Sequence, residues 1–186
     1  MEHPIAISTL NDFIFCPYSI YLHNSYMETD EDLYHATPQT IGKISHSSID
    51  NKSSHQSYEI SSLPIYSEEL GIYGKIDIYN QKTKRLIERK YQLKKIFIGQ
   101  IYQLWAQYFC LIEMGYEVNE IAFYEISTNK MLIQNLPTPL NKEELKVFIQ
   151  QYRNYDPNSK IKINTNKCLH CVYCNLCDKT ITDNVY

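Results

Sequence analysis

No stretch of this chain is apolar for long enough to cross a bilayer, and its first residues lack the basic-then-apolar order of a secretory signal. Those two absences exclude a helical membrane span and point to the cytoplasm. Excess positive charge is lacking too: the formal net charge is −3 over 186 residues. That argues against indiscriminate nucleic-acid binding, and any phosphate contact must then come from a local patch. The sequence has no internal repeat and no low-complexity tract. In a reducing compartment its six cysteines read as free thiols or metal ligands rather than disulfides.

What is present is the composition of a folded protein, with 44% hydrophobic and 21% charged residues. The length favours a single domain with at most an appended subdomain. Seventeen tyrosines are unusual. Core packing accounts for most of them, and a minority are candidates for stacking on unpaired bases.

The segment from Gly74 to Lys90, GKIDIYNQKTKRLIERK, reads as two short strands joined by a polar turn at Asn80 to Lys84. Alternation puts Ile76 and Ile78 on one side and Asp77 on the other. In the second strand it puts Leu86, Glu88 and Lys90 on a common face. Folding back at the turn brings Asp77 toward Glu88. Two carboxylates and one lysine form the donor set of a divalent-metal phosphodiesterase: hard oxygens for Mg²⁺ or Mn²⁺, and a point charge for the developing negative charge. The alternative is a surface hairpin whose charges are solvated. A basic run overlaps the pair: Lys82, Lys84, Arg85, Arg89, Lys90, Lys94 and Lys95 face a single acid, Glu88. An acidic run at Glu28, Asp30, Glu31 and Asp32 lies elsewhere.

Around that hairpin the pattern alternates helix and strand. Residues Ile7 to Tyr26 read as a helix capped at Ser8 and kinked or split by Pro17, with Cys16 at the break. Residues 27–40 read as a loop or flap. Next, TIGKISHSSID places Gly42 and His46 four apart, and His46 is a candidate ligand for Mn²⁺. Ser57 to Tyr66 and Gly71 to Tyr79 read as strands. The clearest helix, Phe97 to Met114, ends at Gly115 and carries a stripe of amides at Gln100, Gln103 and Gln107. Gln100 reads as solvent-facing, whereas Gln103 and Gln107 are assigned to the metal site or a DNA backbone. Cys110 reads as core. Ile121 to Ser127 and Met131 to Gln134 form a further hairpin, and a last helix starts at Asn141, with Glu144 completing a capping box, and runs to about Tyr152. The order implies an α/β fold with a mixed sheet flanked by helices.

The tail, KCLHCVYCNLC, carries Cys168, Cys171, Cys174 and Cys177. Cysteines spaced by two in tight turns reach a common centre, as in zinc and iron–sulfur sites. Four at every third residue do not all converge easily, so a distant cysteine is a candidate for the fourth bond, and Cys16 is the obvious one.

Taken in order, LNDFIFCPYSIYL, GKISH, GKIDIY, LIERK, QLWAQYFCLIEM and the terminal cysteines resemble the CRISPR-associated RecB-like nucleases, the fourth Cas protein family, within the PD-(D/E)xK superfamily. The likeness runs along nearly the whole chain. It implies a RecB-like nuclease core over 1–186 with an iron–sulfur subdomain built from about 1–26 and 153–186. It further implies a metal-dependent site at His46, Asp77, Glu88 and Lys90, with Gln103 and Gln107 as supports; the reading adds the backbone carbonyl of Arg89 as a metal ligand. The family pattern Cys-x2-Cys-x5-Cys, completed by an N-terminal cysteine, implies a 4Fe–4S cluster on Cys16, Cys168, Cys171 and Cys177. Cys174 has no counterpart there and is a possible substitute ligand, and zinc is the alternative metal. Tyr18 stands where the family usually carries a basic residue. Members cut single-stranded DNA, commonly as exonucleases, and act with the CRISPR integrase and its small companion subunit, trimming prespacers at the PAM. A PAM-recognising binding subunit with little cleavage of its own is the alternative function, and a zinc-ribbon protein with an incidental hairpin is a second one.

Overall fold

The computed structural model describes residues 3–26 and 58–180. The acidic run at 28–32, Gly42 and His46 lie outside the described residues. The chain opens with a two-residue strand, β1 (Ile5–Ala6), followed by α1 (Thr9–Phe15) and α2 (Pro17–Tyr26). The two helices part at Cys16, whose backbone is extended at φ −158° and ψ 113°. A residue before proline is driven out of the helical region, so the split at Pro17 follows from the sequence. Ser8 occupies the N-cap without a side-chain cap bond, and Thr9 Oγ1 donates to the Ala6 carbonyl at 2.8 Å instead.

Seven further strands follow: β2 (Glu59–Ser61), β3 (Pro64–Ser67), β4 (Ile72–Lys75), β5 (Ile78–Asn80), β6 (Arg85–Lys90), β7 (Glu120–Glu125) and β8 (Lys130–Gln134). They build a five-stranded sheet in the order β2-β5-β6-β7-β8 and, with β1, a three-stranded sheet in the order β1-β4-β3. In the larger sheet β6 and β7 are parallel and the other pairs antiparallel. Parallel neighbours need a crossover, and α3 (Ile98–Glu113) supplies it. The fold is thus α/β with mixed sheets flanked by helices.

Two of the expected continuous strands are broken. Ser57 to Tyr66 divides into β2 and β3 around Ser62, at φ +57°, and Gly71 to Tyr79 divides into β4 and β5 at Ile76 and Asp77. At each break the chain leaves one sheet and enters the other. The two corners are bonded together: Ser62 N–H donates to the Asp77 carbonyl at 3.1 Å, and Ile76 N–H to the Leu63 carbonyl at 3.0 Å. Alternation of residue type persists through such a corner, because the side chains keep facing in and out while the ladder partner changes. Asp77 therefore stands where the two sheets meet rather than in mid-strand.

The helix α3 ends as expected, with Gly115 at φ +86° and Tyr116 N–H reaching the Leu111 carbonyl at 2.9 Å. The next helix, α4 (Pro139–Arg153), begins earlier than the expected start at Asn141. Thr138 is its N-cap and Pro139 its first residue, with Asn141 Oδ1 accepting from Thr138 N–H at 2.9 Å. Proline's fixed φ favours the first helical position, and this overrides the later capping signal. The four-residue α5 (Thr165–Cys168) and a single 3₁₀ turn (Cys174–Leu176) complete the described chain.

The main core lies between the sheets and α1, α3 and α4, with Leu10, Leu86, Leu104, Leu111 and Ile121 fully enclosed. Phe13 ties the helices together, its ring centroid 5.7 Å from Phe148, 4.7 Å from Tyr152 and 5.6 Å from Tyr155. A separate small cluster of Tyr18, Leu22 and Tyr173, with Cys16, Ile161, Cys171 and Cys177 packed on it, joins α2 to the end of the chain. No helix among the described residues is long and apolar enough to cross a membrane.

Candidate active site and cysteine pocket

The pairing of β5 with β6 sets Ile78 opposite Ile87, so the next pair outward is Asp77 and Glu88. Asp77 Oδ2 accepts the Arg89 backbone N–H at 2.7 Å, which fixes the carboxylate against β6. Glu88 is 9% exposed and accepts one bond on each oxygen. Lys90 Nζ donates to Oε1 at 2.8 Å, and Gln107 Nε2, arriving from α3, donates to Oε2 at 2.8 Å. Asp77, Glu88, Lys90 and Gln107 therefore meet at one place, and His46 lies outside the described residues.

The electrostatics keep Lys90 charged. Burial works against the Lys90 ammonium, yet the charge and hydrogen bond of Glu88, then the charges of Asp77 and Asp12, outweigh it and raise the lysine pKa. Asp12 is the carboxylate that sequence reading missed. It stands in the first turn of α1, where desolvation by the protein around it raises its pKa against the lowering effects of His23 and Lys90. Nothing local marks Asp12, since its relation to Lys90 exists only once α1 packs against the sheet.

The amide stripe divides by role. Gln100 Oε1 accepts the Phe97 N–H at 2.9 Å and so caps α3, instead of facing solvent idly. Gln103 is 8% exposed and donates to the carbonyls of Ser8 at 2.9 Å and Ile7 at 3.4 Å, pinning the start of α1. Gln107 alone reaches the acid pair. Its Oε1 is buried with no hydrogen-bond partner, which is unusual for a group that is 4% exposed.

The basic run does not make one face. Arg85 pairs with Glu120, Lys84 Nζ is 4.0 Å from Glu117, Arg89 is 2% exposed and Lys90 is bonded to Glu88. Strand alternation sends these residues to both sides of the sheet. Exposed cations remain at Lys82, Lys94 and Lys95. The tyrosines mostly pack: Tyr79 donates to the Glu117 carbonyl and Tyr102 to Glu144, each at 2.5 Å.

The cysteines divide as well. Cys16, Cys168, Cys171 and Cys177 border one cavity of about 570 Å³ between the break of α1 and α2 and the segment 159–180, and Cys174 is not on its wall. All six cysteines are free thiols, and Cys110 is fully enclosed in the core. Burial, with Cys16, Cys177 and Cys168 adding to it, pushes the Cys171 thiol up to about 11 against a bond from Tyr173 N–H. The lobe is tied to α2 by Tyr18 Oη, which donates to Asp178 at 2.5 Å, and by a 2.8 Å bond between His23 Nδ1 and Tyr173 Oη. Among the described residues, no three His, Cys, Asp or Glu side chains close around a single ion position.

No protein-family model matches this chain, and neither does any curated protein sequence. Among solved structures it is similar to the crystal structure of SSO0001, with a TM-score of 0.66 and 16% identity over 98% of this chain and 89% of that one. A likeness at that identity shows the shared fold alone.

Proposed function

We propose that the chain is a divalent-metal-dependent deoxyribonuclease of the CRISPR-associated RecB-like family, with a PD-(D/E)xK core, acting on single-stranded DNA or 3′ overhangs. The observation that carries this reading is the meeting of Asp77 and Glu88 across a strand pair, with Lys90 bonded to one of them. The donor set fits a hard cation. Each Glu88 oxygen accepts one hydrogen bond and keeps a lone pair for another contact, and Gln107 Oε1 is a buried acceptor without a donor. Asp77, Glu88 and His46, with the Arg89 carbonyl, would hold Mn²⁺ or Mg²⁺. Bound there, the ion polarises a phosphate and supplies hydroxide at neutral pH. Lys90, held protonated by the acids around it, offers positive charge to the phosphate as negative charge grows. Gln107 holds Glu88 in orientation, and Gln103 positions the start of α1 from outside the site.

The cysteine pocket is proposed to hold a 4Fe–4S cluster on Cys16, Cys168, Cys171 and Cys177, tying the break in the first helices to the end of the chain. In this reading the protein trims PAM-containing prespacers together with the CRISPR integrase and its small companion subunit. The test is digestion of end-labelled single strands by anaerobically prepared protein. Cleavage with Mn²⁺ is expected for the parent, and Asp77→Ala is expected to abolish it while the brown colour of the cluster is retained. Parental rates from Asp77→Ala would overturn the assignment. PAM-selective binding without cleavage would identify a recognition subunit instead, and a colourless protein containing stoichiometric zinc would replace the cluster.

A further inference from the structure

The segment that walls the cysteine pocket alternates lysine and isoleucine at Lys160, Ile161, Lys162 and Ile163. Ile161 is half-buried against Tyr18, Leu22 and Tyr173, whereas Lys160 and Lys162 are exposed at the rim. Lys167 and Lys179 border the same cavity. Lys167 Nζ donates to the Phe15 carbonyl at 2.9 Å, and Lys179 Nζ stands 5.3 Å from the Tyr18 ring centroid. Against the four lysines, residues 157–180 contain one acid, Asp178, which accepts from Tyr18 and lies 3.8 Å from Lys179. A chain of net charge −3 has thus gathered local positive charge here.

Beside that rim is a bare ring. Tyr21 is 44% exposed, and it stacks on Tyr18 at 5.2 Å between centroids and 29° between planes. Lysines that meet phosphates next to an aromatic face on which a base can stack form the general arrangement of single-strand binders. A duplex would satisfy the lysines but leave the ring unused, because its bases are already stacked on one another.

We infer that the rim of the cysteine pocket is a binding track for single-stranded DNA, with Lys160 and Lys162 on phosphates and Tyr21 under a base. The identity of the strand as DNA rests on the nuclease reading; the track itself is separate from the acid pair. It extends the contact between protein and strand from the site of cleavage to the cysteine lobe.

Fluorescence anisotropy tests this, with the full chain prepared anaerobically, EDTA present to prevent cleavage, and a labelled oligothymidylate of about 20 nucleotides. Two phosphate contacts at about 0.7 each predict that Lys160→Gln with Lys162→Gln lowers the slope of log affinity against log salt by about 1.4, a loss of about 25-fold at 0.1 M. The double change to arginine should restore the slope. Tyr21→Ala should weaken binding by about fivefold or more without changing the slope. Lys130→Gln, on the edge strand β8 and off the wall of the cavity, should leave binding unchanged. The track is overturned if the parent fails to bind, if the glutamine pair binds with parental slope, or if duplex of the same length competes equally. Unchanged circular dichroism and visible absorbance separate these outcomes from misfolding. A parent that binds in this way but never cuts would overturn the nuclease reading alone.

Discussion

Glu88→Ala is the perturbation that asks most of the proposed site. Glu88 is 9% exposed and its carboxylate accepts from Lys90 and Gln107, each at 2.8 Å. Both bonds are accepted by an ionised carboxylate, and bonds of that kind contribute about 1.5–3 kcal/mol each. Truncation also leaves Gln107 with neither polar atom partnered, since its Oε1 has no partner already. Lys90 offsets part of the loss, because its side chain is 26% exposed and regains some hydration. The balance is a destabilisation of about 2–3 kcal/mol. Combining Glu88→Gln with Lys90→Met should behave differently. The new amide can accept from Gln107 and donate to its idle oxygen, and no unpaired charge remains, so stability should fall within about 1 kcal/mol of the parent. Both variants should be inactive. The assay is urea unfolding in EDTA, followed by the fluorescence of the single tryptophan, Trp105, which packs on Tyr102 in the core helix. The cysteine pocket must be in one loading state throughout. A loss below about 0.5 kcal/mol for Glu88→Ala, or a double variant less stable than the single one, would refute the reasoning that this is a desolvated polar cluster.

Ligand linkage provides a second check: Mn²⁺ at ten times its Kd should stabilise the parent by about 1.4 kcal/mol and Asp77→Ala not at all, and equal gains would place the ion elsewhere. Burial, aided by Glu113, pushes the Cys110 thiol up to about 12. In the native chain at pH 8, iodoacetamide should therefore spare Cys110, with labelling only after unfolding or as pH nears 12; mass spectrometry showing labelling as fast as at Cys174 would contradict the burial argument. Glu125 accepts the Leu93 N–H at 2.6 Å and the Thr128 hydroxyl at 2.5 Å, and these bonds, the backbone one foremost, lower its pKa. Its hold on the loop after β6 is complete above the ordinary glutamate range and is lost as pH falls through the lowered value. Hydrogen exchange at Leu93 should follow that course, and Glu125→Gln should weaken the protection at neutral pH; protection insensitive to both would show that the carboxylate does not hold the loop.

Several elements were legible because their causes are local. Pro17 excludes its neighbour from the helix, Gly115 supplies a positive φ, and the alternation in Leu86, Glu88 and Lys90 places the acid and the lysine together. The convergence of Asp77 on Glu88 was also legible, since a short turn leaves little freedom of register. Where local signals competed, reading failed: Thr138 and Pro139 took the helix start from Asn141, and Asp77 proved to be a sheet corner rather than mid-strand.

The sequence by itself determined which residues are chemically able to bind metal, and which of them are close because they are joined by a few residues. Only the tertiary structure decided the rest. It brought Gln107 to Glu88 and Asp12 toward Lys90, turned Gln103 to the carbonyls just before α1, dispersed the basic run to both sides of a sheet, and left Cys174 off the cavity that Cys16, Cys168, Cys171 and Cys177 border. The physical reason is the same in each case: a side chain's direction is set by its own backbone, but its partner is set by packing between elements far apart in the chain.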